Sequence, residues 1–145
     1  MDESIEINAP ASKVWRALTL REYTDQWTPE FANGDPHFYI ESDWKLGSPV
    51  LWKGQGRNLV VEGIVTALVL NKLLRFTVFD VRSERPPITE EDGITFRLKE
   101  QNGITILHLL QGDFSTMPEG AKYRDMSTQV WQRVLPKVKM LAESA

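Results

Sequence analysis

The sequence predicts an α+β fold in which an antiparallel sheet packs against helices on one of its faces. Three observations lead to this prediction. One strand pattern opens the chain, six more follow from His37 onward, and an amphipathic helical pattern occupies residues 123–142. No helical pattern separates the six strands, whereas parallel strands would need crossover helices between them. With 145 residues, the chain is expected to form a single domain over residues 1–145.

The chain begins with a half-buried strand and two short helices. Residues 4–8 alternate between polar and apolar side chains, which is typical of a strand with one face in the core. Pro10 then favours a helix start, because its missing N–H would have no partner in a first turn. Thr19 and Glu22 have the spacing of a capping box. This spacing predicts a second short helix that ends before Pro29.

Alternating patterns predict which aromatic side chains of the central strands face the core. In residues 37–44 the even positions, which include Phe38 and Trp44, share one face. A turn at residues 47–49 leads into a second strand that carries Trp52. We therefore expect Trp44 and Trp52 to point inward. The next two predicted strands are residues 59–70 and 73–81.

Asn102-Gly103 is the strongest hairpin signal in the chain and predicts a type I′ turn. With this turn, Leu98 lies near Leu107 and Phe96 lies near Leu109. The inner face of the second strand then carries Thr105, Leu107, Leu109 and Gln111, and its outer face carries Ile104, Ile106, His108 and Leu110. The apolar residues of the outer face form a candidate surface for a homodimer.

The last helix has a broad apolar stripe that only a large surface can cover. Pro136 lies inside this helix and has no N–H to donate to the Gln132 carbonyl. We expect a bend near Gln132, in a helix curved to follow a curved sheet. The alternative is two helices that meet at Leu135. The stripe consists of Met126, Val130, Trp131, Val134, Leu135, Val138 and Leu141.

Composition argues against several classes of function. The chain has no cysteine, which excludes thiolate catalysis, thiolate metal sites and disulfides. Its net charge of −3 and its scattered basic residues argue against a nucleic-acid surface. The sequence shows neither an export signal nor an apolar run long enough to span a membrane. We therefore expect a cytoplasmic protein.

No catalytic or metal-binding motif stands out. The two histidines, His37 and His108, lack metal-ligand spacing, and no nucleophile elbow or dinucleotide fingerprint is present. We therefore expect no metal and no cofactor. Asp80, near a strand end, is the only candidate general base, and it would serve only if it faces inward. A binding site is the better interpretation, since pockets place a few polar groups such as Gln111 in an apolar wall.

Several segments resemble one known superfamily. Residues 5–19, followed by Gln26-Trp27, resemble the start of the START-like (SRPBCC) helix-grip superfamily. Residues 42–54 are similar to its branch related to the activator of heat-shock-protein-90 ATPase, in the single-domain bacterial form. Later segments fit the family in the same order, at positions 63–65, 74–77, 105–107, 111 and 131–135. The resemblance implies a seven-stranded curved antiparallel sheet that grips the C-terminal helix, with a cavity between them.

Our first functional hypothesis is non-enzymatic binding of a small, mostly hydrophobic molecule in this cavity, for carriage or sensing. The resemblance also brings two alternatives, a co-regulator that contacts a chaperone ATPase and a cyclase or dehydratase that uses the same cavity. The chaperone alternative is weakened because the chain matches only the C-terminal domain of such activators. Each aromatic candidate for the binding wall has the alternative of being ordinary core. The candidate ligand-binding residues are Trp27, Phe31, Trp44, Trp52, Phe76, Phe96, Leu98, Leu109, Gln111 and Trp131.

Overall fold

A computed structural model gives the architecture and describes residues 2–32, 34–80, 93–111 and 120–144, without the side chains of 79–80 and 120–124. Two segments of 3-10 helix lie at Thr28–Ala32, called the 3-10 segment below, and at Gln55–Arg57. The helices are α1 (Ala11–Thr19), α2 (Arg21–Trp27) and α3 (Gly120–Ser144). The strands are β1 (Asp2–Ile7), β2 (Tyr39–Glu41), β3 (Pro49–Lys53), β4 (Leu59–Val69), β5 (Leu73–Phe76), β6 (Phe79–Asp80), β7 (Ile94–Gln101) and β8 (Ile104–Gln111).

The strands form one antiparallel sheet. Seven of them follow the order β1-β8-β7-β5-β4-β3-β2, and the two-residue β6 pairs with β4. Because β5 and β6 both pair with β4, they are two parts of one strand interrupted at Thr77 and Val78. The predicted α+β architecture is confirmed, with a curled antiparallel sheet, two short helices after the first strand and a long last helix.

Two bulges on β4 contribute to the curvature of the sheet. Val60 is an extra residue opposite the step from Trp52 to Lys53. Thr66 is an extra residue opposite the step from Arg75 to Phe76. An extra residue on one strand bends that strand and increases its local twist. The two bulges therefore curve β4, which lies between β5 and β3 in the sheet.

Gly63 allows the interrupted strand to approach β4 closely. A Cβ atom at position 63 would lie 1.8 Å from the carbonyl oxygen of Thr77, which is far too short for any side chain. Two hydrogen bonds form across this contact. The Thr77 N–H donates to the Ile64 carbonyl at 3.0 Å, and the Ile64 N–H donates to Thr77 Oγ1 at 3.0 Å. Position 63 therefore requires glycine for a steric reason.

The hairpin between β7 and β8 has the predicted register. Asn102-Gly103 forms the turn with φ angles of 54° and 78°, as a type I′ turn requires. Leu98 pairs with Leu107, which is fully buried. On the outer face of β8, Ile104 and Ile106 are 37% and 39% exposed. The predicted inner and outer faces of this hairpin are confirmed.

Two local predictions near the first helices and strands are wrong, and a hydroxyl group explains each. The Thr19 hydroxyl does not cap α2 but donates to the Trp15 carbonyl at 2.8 Å. The strand predicted for residues 37–44 is only three residues long, because the Trp44 N–H donates to Ser42 Oγ at 3.0 Å and turns the chain. Trp44 has a φ of 51°, outside the extended region. Short polar side chains compete in this way with regular backbone pairing.

The last helix, α3, is a single continuous helix, so the alternative of two helices meeting at Leu135 is wrong. The expected bend near Gln132 stays a prediction. The predicted stripe is also too long at its start, because Met126 is exposed. The buried side covers the inner face of the sheet, where the Trp131 ring lies 5.7 Å from the Phe96 ring. It consists of Trp131, Val134, Leu135, Val138, Leu141 and Ala142.

Candidate functional site

A cavity of about 620 Å³ lies where the sheet, the 3-10 segment and α3 meet. Strands β3, β4, β7 and β8 contribute side chains to its wall, and α3 contributes Ser127 and Trp131. The turn between β3 and β4 lines another side with Gly54, Gln55 and Asn58. Sites for small molecules typically have volumes of about 300–1,000 Å³, so this cavity has the size of a ligand site.

Phe31 is the centre of an aromatic cluster at this cavity. Its ring centroid lies 4.9 Å from Trp131, 5.3 Å from Trp52 and 6.3 Å from Trp27, with the rings edge to face in all three pairs. The quadrupoles of aromatic rings favour this arrangement. Phe31 is nevertheless only half-buried, whereas the three tryptophans are buried. The phenylalanine is therefore the member of the cluster that is nearest to solvent.

Gln111 and Trp131 form the main polar contact of the cavity wall. The Trp131 Nε1–H donates to Gln111 Oε1 at 3.0 Å, and both residues line the cavity. Gln111 is the last residue of β8, and the register of the hairpin puts it on the inner face opposite Ile94. Because its N–H has this acceptor, Trp131 can be almost completely buried without an unsatisfied donor.

The bulge on β4 brings two consecutive side chains to the cavity. In a regular strand, neighbouring side chains point to opposite faces of the sheet. Val60 is the extra residue of the bulge, and both Val60 and Val61 line the cavity. The same local irregularity that bends β4 therefore adds apolar surface to the wall.

An ion-pair network holds the 3-10 segment against α3. Glu30 Oε1 accepts a hydrogen bond from Lys137 Nζ at 2.9 Å, and Glu30 Oε2 accepts one from Arg133 Nε at 3.3 Å. The hydrogen bond from Lys137 is the largest cause that holds the pKa of Glu30 below its usual value of 4.5, and Arg133 acts in the same direction. Since Phe31 follows Glu30 directly, this network anchors the edge of the cavity.

Asp35 is the only ionisable side chain among the described residues that line the cavity. Its Oδ1 accepts a hydrogen bond from the His37 N–H at 2.9 Å, which closes a local turn. Within the described ranges, no three histidine or acidic side chains gather in a way that could hold a metal ion. In the same part of the chain, no helix combines the length and the apolar character needed to cross a membrane.

The sequence-predicted binding residues fall into three groups. Four of the ten line the cavity, namely Phe31, Trp52, Gln111 and Trp131. Leu98 instead lines a second cavity of about 590 Å³ beside the start of α1. The other five are buried in the core or packed on it and do not line the first cavity; they are Trp27, Trp44, Phe76, Phe96 and Leu109.

The two tryptophans of this last group, Trp27 and Trp44, have structural roles. The Trp27 Nε1–H donates to the Ala17 carbonyl at 2.9 Å and so joins α2 to α1. The Trp44 ring packs edge to face on Phe76 at 5.5 Å. The candidate base Asp80 has a backbone that pairs with Val61, but its side chain lies outside the described part of the structure.

Sequence patterns missed several residues of the cavity wall. Phe38, although expected on an inward face, was not among the predicted binding residues, and Asp35 gave no signal because it lies in a turn. Val60 and Val61 belong to a continuous apolar run in β4, which hides the bulge. Val78 lies in the interruption between β5 and β6, where alternation stops. Gly63 was a sequence signal of the irregular pairing in this region, since an isolated glycine in a strand often marks close backbone approach.

Comparison with solved structures identifies proteins of the same fold. The Aha1 dimer from Colwellia psychrerythraea matches with a TM-score of 0.71 and 18% identity, over 99% of this chain and 95% of that chain. A protein from Cytophaga hutchinsonii matches with a TM-score of 0.66 and 25% identity, over 99% and 94%. DynU16, from the dynemicin biosynthetic locus, matches with a TM-score of 0.72 and 14% identity, over 99% of this chain and 46% of that chain.

Sequence comparison points to the same group. The curated protein sequences give no significant match. The model of the family described as activator of Hsp90 ATPase homolog 1-like protein matches residues 8–143, which include both short helices, strands β2 to β8 and nearly all of α3. The chain therefore belongs to the activator of Hsp90 ATPase homolog 1-like family, within the START-like helix-grip superfamily.

Proposed function

We propose that the protein binds a small, mostly hydrophobic molecule in the cavity between its sheet and α3, and that it carries or senses this molecule without changing it. The observation that carries the proposal is the cavity of about 620 Å³. Its wall combines aromatic rings and valines with the polar side chains of Asp35, Gln55, Asn58, Gln111 and Ser127, and a mainly apolar wall with some polar groups is typical of small-molecule sites. Burial of an apolar ligand against such a wall releases water from both surfaces, which favours binding.

The aromatic cluster supports this proposal because it offers both a fixed and an adjustable surface. Trp131 is held by Gln111 and gives a rigid wall. Phe31 lies on the 3-10 segment, which is short and half-exposed and is held to α3 by Glu30. Because Glu30 anchors this segment, the adjustable part is the half-buried Phe31 side chain, whose rotation would widen the entrance while the sheet stays in place. We propose that ligands enter beside Phe31.

The first experiment is to identify and exchange the ligand. Mass spectrometry of extracts from the purified protein should reveal a bound lipophilic compound, and thermal-shift screening of lipophilic compounds should find stabilising ones. Absence of both would contradict the proposal. Recovery of the bound compound unchanged after long incubation supports carriage, whereas its conversion would favour the cyclase or dehydratase alternative.

A pair of variants on β4 tests the location of the site. Val61→Trp places a large side chain in the cavity wall, and we expect it to weaken ligand binding by at least about tenfold. Val69→Trp adds the same side chain on the same strand at a position that is 48% exposed and does not line the cavity. This control should bind as well as the wild type. Equal binding by both variants would refute this location.

The family description suggests a second role, contact with a chaperone ATPase. A purified bacterial heat-shock-protein-90 chaperone offers a direct test. An increase in its ATPase rate on addition of this protein would support this role, and an unchanged rate with no complex in a pulldown would remove it. We also propose a cytoplasmic location, which cell fractionation can examine.

Self-association is a further part of the proposal. Ile104 and Ile106 form an exposed apolar row on the outer face of β8. The structure from Colwellia psychrerythraea, which has the same fold, is described as a dimer. We propose that this row contributes to a homodimer. Analytical ultracentrifugation should show a dimer that Ile106→Lys converts to monomer, and a monomeric wild type at high concentration would contradict this.

A further inference from the structure

The indole N–H of Trp52 is a buried donor without an acceptor. Its Nε1 atom is inaccessible to water and has no hydrogen-bond partner in the described structure. Two other buried tryptophans differ in this respect, since Trp27 donates to the Ala17 carbonyl and Trp131 donates to Gln111. Buried polar groups are nearly always paired in folded proteins, so an unpaired one at a cavity wall requires an explanation.

Trp52 lies on β3 and lines the same cavity, and its ring packs against two phenylalanines. The ring centroids of Phe31 and Phe38 lie 5.3 Å and 5.9 Å from that of Trp52. The valines of β4 and Val78 supply apolar surface nearby. Trp52 therefore lines the cavity while its unpaired N–H is buried among apolar groups, an environment in which an unsatisfied polar group is costly.

We infer that the ligand is an uncharged, mainly apolar molecule with one hydrogen-bond acceptor, of the ketone or ester class, and that this acceptor pairs with the Trp52 N–H. This inference rests on the proposed binding function and specifies the ligand class. Ligand binding would satisfy a donor that the ligand-free protein leaves unpaired. The acceptor is uncharged because Asp35, an acid, is the only ionisable side chain among the described lining residues.

The acceptor reaches this N–H only if a neighbouring ring moves, because the nitrogen is sealed from water. Phe31 is the side chain that can move aside, since it is half-buried and lies on the 3-10 segment, whereas Phe38 is buried. Binding is therefore coupled to a displacement of Phe31. This coupling explains how the donor can be inaccessible in the free protein and still serve the ligand.

Rigid pairs of compounds that differ in one carbonyl group test this inference. Fluorenone and fluorene form one pair, and benzophenone and diphenylmethane form another. We expect the wild type to bind each ketone about tenfold more tightly than its hydrocarbon partner, as measured by calorimetry, because one buried donor gains an acceptor. In a ¹H–¹⁵N spectrum, the ketone should shift the Trp52 indole proton downfield, and the hydrocarbon should not.

Two variants complete the design. Trp52→Phe lacks the N–H, so the ratio of ketone to hydrocarbon affinity should fall to about one, and the missing indole peak assigns Trp52. Trp44→Phe is the matched control, since Trp44 does not line the cavity, and it should keep the wild-type ratio.

Equal affinities of the wild type within each pair, or an unmoved Trp52 resonance in the ketone complex, would overturn the inference and leave the proposed binding function standing. Failure of all four compounds to bind would count against both. If Trp52→Phe does not fold, the wild-type affinities within the two compound pairs still decide the matter.

Discussion

Replacement of Gly63 by alanine tests the close contact between β4 and the interrupted strand. The new Cβ would lie 1.8 Å from the Thr77 carbonyl oxygen, whereas ordinary contact begins near 3.4 Å. The two segments must therefore separate by about 1.6 Å. Such a movement breaks both hydrogen bonds between Thr77 and Ile64.

The cost of this substitution can be estimated from its parts. Each lost hydrogen bond contributes about 1 kcal/mol, and overpacking against the backbone contributes about 1–3 kcal/mol. We therefore expect Gly63→Ala to lower the free energy of unfolding by about 3–5 kcal/mol. This is a large share of the roughly 5–15 kcal/mol that is typical of a whole protein.

Urea denaturation followed by tryptophan fluorescence measures this effect, because buried tryptophans report on the folded core. Gly54→Ala is the matched control on the neighbouring turn. The nearest atom to its added Cβ would be 3.8 Å away, and the backbone there is not left-handed. We expect this control to stay within about 1 kcal/mol of the wild type. A Gly63→Ala protein as stable as the control would refute the steric reasoning.

Three further substitutions test the ion-pair network and the core. Glu30→Gln should lower stability at pH 7 by less than about 1 kcal/mol, because it removes the charge that Lys137 binds. Since the pKa of Glu30 is lowered in the folded state, this difference should be present above pH 4.5 and vanish as the pH falls through the folded-state pKa. Thr105→Val removes the buried 2.8 Å hydrogen bond to the Ala9 carbonyl and should cost about 1–3 kcal/mol. Leu107→Ala creates a cavity at a fully buried site and should cost about 2–5 kcal/mol in urea denaturation.

Each of these predictions has a control and a result that would contradict it. The control for Glu30→Gln is Asp25→Asn, which disrupts an exposed ion pair with Arg21 and should have no measurable effect on stability. If Glu30→Gln lowers the free energy of unfolding equally at pH 3 and pH 7, the charge of Glu30 is not the cause. Leu46→Ala, at a 69% exposed position, should change stability by less than about 0.5 kcal/mol. Wild-type stability of Thr105→Val or Leu107→Ala would show that the hairpin register is misassigned.

Sequence patterns predicted the parts of the fold that depend on local chemistry. Asn102-Gly103 predicted a two-residue turn. The length of this turn then determined which side chains of β8 lie in the core. The inward position of Gln111 followed from that register. The long last helix and its relation to the sheet followed from a stripe too broad for a small partner.

The missed features depend on contacts that no local pattern encodes. The hydroxyl of Ser42 ends β2 because it competes for the Trp44 N–H, although the alternation of side chains continues. The bulge at Val60 lies inside a uniform apolar run, where a shift of one residue leaves no trace in the sequence. The unpaired N–H of Trp52 depends on the positions of rings from distant parts of the chain.

The order of elements along the chain has a consequence for biosynthesis. α3 follows every strand, yet its buried side covers the inner face of the sheet through contacts such as that between Trp131 and Phe96. During translation, the strands therefore emerge from the ribosome before α3 can cover the apolar inner face of the sheet. Nascent chains with an exposed apolar surface are prone to aggregate. We expect a stop codon placed before Trp131 to yield insoluble product, because the sheet would never receive its cover.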